Sequence, residues 1–201
     1  MRVMTDTRRQ AIIEIAIGLF REVGYERASM AEISARLGGS KATLYKYFPS
    51  KEDLFSAAML AAVETRGLEL CRLLDPETDD MRATLLKYGK AFVELVGGAD
   101  VLAITRTAVA EGANSRLGAM LYAHGPRRGL MDIVAFVERQ QERGILRAAD
   151  ARQVALHLKA LLEAGLVEPL LYGAQREYAA GVAVAAAVDA FLRAYAAESA
   201  N

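Results

Sequence analysis

Apolar residues recur at helical spacing along most of the chain, and each run is bounded by residues that start or stop helices. Ile12, Ala16, Leu19, Phe20 and Val23 form the first stripe, which Gly24 ends, while Met1 to about Thr7 reads as a mobile arm. Met30, Ile33 and Leu37 form a second, short stripe. Ser29 is placed to cap it with Glu32 at the third helical position, and Gly38-Gly39 stop it. A third helix spans Lys41 to about Tyr47, capped by Ser40 and halted by Pro49. Ser50 opens a fourth, with Asp53 at its third position, that runs through Leu54, Ala58, Ala61 and Leu68 to about Leu74. Further helices are expected over Met81 to Val96 and Ala99 to Ala110. Another runs from Ser115 through Arg143 with a break at His124-Gly125-Pro126. Two more follow, from an Asp150 cap to Tyr172 with a kink at Pro169, and from Glu177 to Ala197. No stretch alternates as a strand would, so the pattern predicts an all-α protein of roughly nine helices.

The third helix carries an unusual face. At about 100° per residue, Leu44 and Phe48 share the inward side, and Ala42, Thr43, Tyr45 and Lys46 spread over the outward side and its flanks. Two readings fit this face, an ordinary solvated surface and a helix that enters the major groove of DNA. Two short helices joined by a tight glycine turn form a helix-turn-helix candidate.

Net charge is zero over the 201 residues, with 25 basic and 25 acidic side chains, but its distribution is uneven. Residues 1–51 carry +4 and the remainder −4, a basic head on an acidic body that suits a local phosphate-binding surface. Arg8 and Arg9 lie either near a DNA backbone or in solvent. The single Cys71 excludes an intramolecular disulfide, and with two isolated histidines no metal site or cofactor is expected. Charges interrupt every long apolar stretch, no signal-type run opens the chain, and a cytoplasmic protein without a membrane span is expected. No catalytic triad, P-loop, dinucleotide motif or paired-carboxylate spacing is identifiable, so the chain reads as a non-enzyme. Cys71 lies in an apolar helical stretch and reads as core, not nucleophile.

The run from Ala11 to Phe55 resembles the DNA-binding domain of the TetR (tetracycline-repressor) family of bacterial transcriptional regulators. Ile12, Ala16, Leu19, Phe20, Gly24 and Tyr25 carry the resemblance first, then Ile33, Ala35 and Gly38. Most specific is Ser40-Lys41-Ala42-Thr43-Leu44-Tyr45-Lys46-Tyr47-Phe48-Pro49-Ser50-Lys51-Glu52-Asp53-Leu54, with its Leu-Tyr-x-x-Phe-x-x-Lys-x-x-Leu frame. One position departs from the pattern. Gly39 stands where the family usually has a β-branched residue, which removes a core anchor from the turn. Residues 111–146 resemble, less specifically, the C-terminal domain of one large TetR subgroup.

The resemblance implies a helix-turn-helix domain over residues 1–52 and a helical regulatory domain over residues 53–201. It implies a homodimer on a pseudo-palindromic duplex operator, released by a small apolar or amphipathic effector. Ala42, Thr43, Tyr45 and Lys46 are then expected at base edges, and Lys41, Tyr47, Lys51 and Ser29 at phosphates, with packing against the next helix the alternative for Tyr47. Polar candidates for the effector are Arg66, Arg106, Tyr122, His124 and Glu163. Of these, His124 also reads as a helix-end residue, and Arg106 and Glu163 as surface or interfacial charges. The dimer surface is expected on the last two helices, through Leu158, Leu162, Gly165, Leu166, Val184, Val188, Phe191 and Tyr195, against packing within one monomer. A transcriptional activator, and a hydrophobic-ligand carrier with a degenerate head, are the alternatives.

Overall fold

The computed structural model describes residues 2–197, with side chains from Asp6 onward. The described chain forms eleven helices: α1 (Arg2–Arg27), α2 (Met30–Leu37), α3 (Lys41–Tyr47), α4 (Lys51–Cys71), α5 (Met81–Val96), α6 (Ala99–Glu111), α7 (Leu117–His124), α8 (Pro126–Glu142), α9 (Ala151–Glu163), α10 (Glu168–Leu171) and α11 (Ala180–Tyr195). A single antiparallel bridge between Leu146 and Ala196 is the extended pairing among the described residues. The protein is all-α, as the apolar spacing predicts. Residues 2–7 differ from expectation, since α1 begins at Arg2 and they form its first turns; Met1 lies outside the described residues.

Local cap chemistry sets the first boundaries. Gly24 breaks the helical path of α1 at φ 78° and ψ 170°. The Ser29 hydroxyl accepts the Glu32 N–H at 3.1 Å. The Glu32 carboxylate does not return the bond and instead takes Arg36 at 3.2 Å, so the capping box is half formed. Gly38 adopts the left-handed backbone at φ 67°, and its N–H and that of Gly39 donate to Ala35 and Ser34 carbonyls, which closes the C-terminus of α2. Ser40 and Ser50 cap α3 and α4 through the N–H groups of Thr43 (3.2 Å) and Asp53 (3.0 Å).

Two compact units result. The first contains the chain up to Glu64 together with Thr107–His124. Its core is built from Ile12, Leu19, Ile33, Leu44, Leu54 and Leu117, all fully buried. Phe20 and Tyr25 each meet the Phe55 ring edge-on at 4.8 Å between centroids. The second contains Thr65–Arg106 and the chain from Gly125 onward, where α5, α8, α9 and α11 enclose Leu85, Val93, Ile133, Leu158, Leu162 and Phe191. Gly89 lets α5 approach closely there. A Cβ at its position would stand 2.8 Å from both Leu162 Cδ2 and Val184 Cγ1.

Two expectations are corrected in the second unit. The helix read from Asp150 to Tyr172 ends at Glu163. Gly165 turns the chain at φ 68°, and Pro169 sits in the first turn of α10, where its missing N–H costs no hydrogen bond, so it starts a helix and does not kink one. The stripe assigned to a partner subunit faces inward. Leu158, Leu162, Leu166, Val184, Val188 and Phe191 are at most 2% exposed within the single chain. The most apolar face of an amphipathic helix packs against its own protomer first, because that contact is always present. Gly165 lies against Glu177 and Tyr178, and of the eight only Tyr195 borders the opposite face.

Candidate nucleic-acid interface

α3 turns Leu44 and Phe48 into the core of the first unit and leaves Lys41, Ala42, Tyr45 and Lys46 exposed. Tyr45 is 47% exposed, high for an aromatic on a seven-residue helix. Thr43 is half-buried and shares a 3.0 Å hydrogen bond with the Ser40 hydroxyl, so its side chain is held in one orientation at the start of the helix. Among the described residues, Lys41, Tyr45 and Lys46 have no side-chain hydrogen bond or ion pair. The outward face is thus polar, basic and unpartnered over two turns, the side-chain set that reads base edges and phosphates. Ser29 is exposed beside it at the start of α2, with its hydroxyl used in the cap.

Several contacts hold α3 in place. Arg36 bridges α2 to α1 through a bidentate pair with Glu22, at 2.7 and 3.0 Å. That pair lowers the Glu22 carboxyl below its ordinary range, first through the hydrogen bond. Arg9 lays its guanidinium 5.1 Å from the Phe48 ring centre. Arg116, just before α7, sets Nη2 3.2 Å from both oxygens of Asp53, whose Oδ2 also accepts the Ser50 hydroxyl at 2.8 Å. A groove of about 530 Å³ opens between these elements, lined by Arg9, Tyr47, Asp53, Leu60, Arg116 and His124 among others. Tyr47 therefore stands over α4 at the edge of the outward face and is half-buried.

Lys51 is placed otherwise than expected. Its ammonium lies 4.2 Å from the Tyr25 ring centre and donates to the Glu26 carbonyl at 3.2 Å. It caps the end of α1. Burial first, then the charges of Glu52, Glu111 and Glu26, push the Tyr25 hydroxyl up to about 12, so the ring beneath Lys51 stays neutral.

The effector candidates do not converge. Arg66 pairs with Asp100 at 3.1 Å. Arg106 donates to the Leu171 and Leu170 carbonyls at 2.9 and 2.5 Å and closes the end of α10. Glu163 takes the Lys159 ammonium at 2.6 Å. Tyr122 is exposed, and His124 ends α7 in the first unit. Sequence reasoning overlooked a different polar set in the second unit. Tyr88 is buried on α5, and desolvation, followed by the charges of Asp132, Cys71 and Glu163, raises its hydroxyl above the ordinary range. Burial likewise pushes the Cys71 thiol up, with Asp132 as its hydrogen-bond partner. Spacing gives no hint of this set, because its members come from three helices.

Comparison with known proteins agrees with this geometry. Residues 12–58 match the model described as bacterial regulatory proteins, tetR family. Residues 83–197 match the AefR-like transcriptional repressor, C-terminal domain. The chain is similar to the transcriptional repressor AcnR of Corynebacterium diphtheriae, 37% identical over 93 residues, 41% of this chain and 49% of that protein. It is also similar to the nicotine-responsive transcriptional repressor HdnoR of Paenarthrobacter nicotinovorans, 32% identical over 83 residues, 41% of this chain and 42% of that protein. It spans less than half the length of these curated relatives. In fold it follows a TetR-family structure from Mesorhizobium loti, with a TM-score of 0.84 over 95% of this chain and 98% of that one at 24% identity. The flavonoid-responsive regulator FrrA gives 0.77 over 96% of this chain and all of that one at 25%. With its head and its body each matched by a family model, and the Leu44-to-Leu54 frame in place on α3 and α4, the chain belongs to the TetR family of bacterial regulatory proteins.

Proposed function

We propose that the protein is a ligand-responsive transcriptional repressor that docks α3 of each protomer in the major groove of a pseudo-palindromic operator. The observation that carries this reading is the outward face of α3, where Lys41, Ala42, Tyr45 and Lys46 are exposed and its three polar side chains are unpartnered among the described residues. A solvated structural helix has no need of that combination, and a recognition helix does. The likeness of residues 83–197 to a transcriptional-repressor domain supports repression over activation. Working on DNA, the protein acts in the cytoplasm; among the described residues no helix is long and apolar enough to cross a membrane.

The dimer forms through the outer face of α9 and α11. That face carries Ala160, Leu161, Ala164, Ala190 and Ala194 around an apolar groove of about 450 Å³, with His157 hydrogen-bonded to Tyr195 at one end. Small side chains there let two helix pairs approach closely. The effector is a small apolar or amphipathic molecule. It releases DNA by favouring a spacing of the heads that no longer matches the half-sites.

The base-reading assignment is tested with Lys46→Ala. Binding to the operator is expected to weaken by about 1–3 kcal/mol and preference to relax at one base position of each half-site. Unchanged preference in a selection on random duplexes removes Lys46 from the base contacts. Lys51→Ala serves as the contrast. Because its ammonium is spent on Tyr25 and Glu26, the variant is expected to lower thermal stability while the salt dependence of DNA binding stays as in the wild type.

A further inference from the structure

Gly39 is the one departure from the family frame in the reading head, and its backbone does not require a glycine. Gly38 is the residue in the left-handed conformation, whereas Gly39 has no positive φ. What its missing side chain admits is Arg8. A Cβ built on Gly39 would stand 2.9 Å from Arg8 Nη2, closer than a real Cβ tolerates, and the next nearest atoms, on Leu37, are 3.8 Å away. The guanidinium from α1 is therefore seated in the notch of the turn, immediately before Ser40 and Lys41.

Arg8 is half-buried there, and among the described residues no carboxylate pairs with it. A partly desolvated guanidinium without an anion is unfavourable, and the group's planar fork is suited to a phosphate. In helix-turn-helix docking the first helix crosses the nucleic-acid backbone and the recognition helix enters the groove by its N-terminal residues, which brings the turn between them close to that backbone. We propose that Arg8, delivered through the Gly39 notch, is a phosphate-contacting residue that fixes the register of α3 on DNA. This rests on the DNA-binding reading above. It makes Gly39 and Arg8 a matched pair, in which a β-branched anchor is exchanged for a cation.

The test uses full-length protein and a duplex enriched from a random pool by the wild type, titrated over a range of KCl concentrations. Arg8→Gln is expected to flatten the plot of log affinity against log salt by about one unit per protomer, hence about two for a dimer, and Arg8→Lys to retain the slope. Gly39→Val is expected to flatten it equally although Arg8 is still present. The atom it displaces is the mobile end of a long side chain, so the fold is retained, which a thermal melt verifies. The double variant should lose no more than either single one. A wild-type slope in Arg8→Gln overturns the contact, and a wild-type slope in Gly39→Val overturns the notch. If the wild type enriches no duplex at all, the DNA-binding reading has failed first. If it does while Arg8→Gln keeps its slope, only the present inference has.

Discussion

Gly89→Leu is expected to prevent the second helical unit from folding, whereas Gly89→Ala is expected to lower the melting temperature by only a few degrees. Gly89 lies in mid-helix on α5, and its Cβ position is 2.8 Å from a methyl of Leu162 and one of Val184. Both neighbours are buried, and Val184 is β-branched and stiff about its first side-chain torsion, so neither has room to turn aside. Alanine brings opposing effects. It gains about 1 kcal/mol of helix propensity over glycine, and it loses about 1–3 kcal/mol to overpacking. The net loss is small against a total stability of about 5–15 kcal/mol. Leucine adds three more carbons to a space that does not hold the first, and the cost reaches the scale of the total. Circular dichroism melts of the two variants decide the matter. A folded Gly89→Leu protein with a wild-type melting temperature would show that α5, α9 and α11 do not meet at this point.

In the proposed dimer, Leu161→Glu is expected to separate the two protomers and to weaken operator binding at least about a hundredfold. Leu161 is half-buried on the outer face of α9, in the groove it shares with Ala160, Ala164, Ala190 and Ala194. A carboxylate there is solvated in the free protomer but desolvated, and set against its symmetry mate, in an isologous interface. Losing the partner turns a two-site attachment into a single one, and linkage of two modules is commonly worth about 10²–10⁴ in affinity. Sedimentation and operator titration on the same sample measure both effects. A variant that remains a dimer, or a monomer that keeps full affinity, would place the interface elsewhere. Leu158→Ala is a useful contrast, since Leu158 is fully buried in its own protomer and its loss should destabilise the fold by about 2–5 kcal/mol.

The head was legible because its signals are local. Ser29, Ser40 and Ser50 cap N–H groups three residues on, and Gly38 closes α2 with its neighbours' carbonyls, so short stretches of sequence contain the whole cause. What escaped depends on distant partners. The contacts of Lys51 with Glu26 and Tyr25 reach across to another helix, which no local pattern marks. At Gly39 the sequence shows only a missing anchor, because the Arg8 guanidinium that fills the notch comes from another helix. Arg116 is 63 residues from the Asp53 carboxylate that it holds. In the body, continuous apolar sequence concealed the break at Gly165 and the new start at Pro169. Periodicity also finds the most apolar stripe of a helix, and on α9 and α11 that stripe belongs to the protomer's own core. The opposite face is mainly alanine, which no periodic signal marks.

Two copies of α3 are proposed to read one duplex. Selection of random duplex DNA on the purified protein, followed by titration of the enriched sequence at two salt concentrations, tests it most directly. The expected result is an enriched pseudo-palindrome whose half-sites lie one helical turn, about 34–36 Å, or a multiple apart, bound by protomers in pairs. No enrichment, with only weak and salt-sensitive binding to every duplex, would contradict it and favour a hydrophobic-ligand carrier whose head no longer reads DNA.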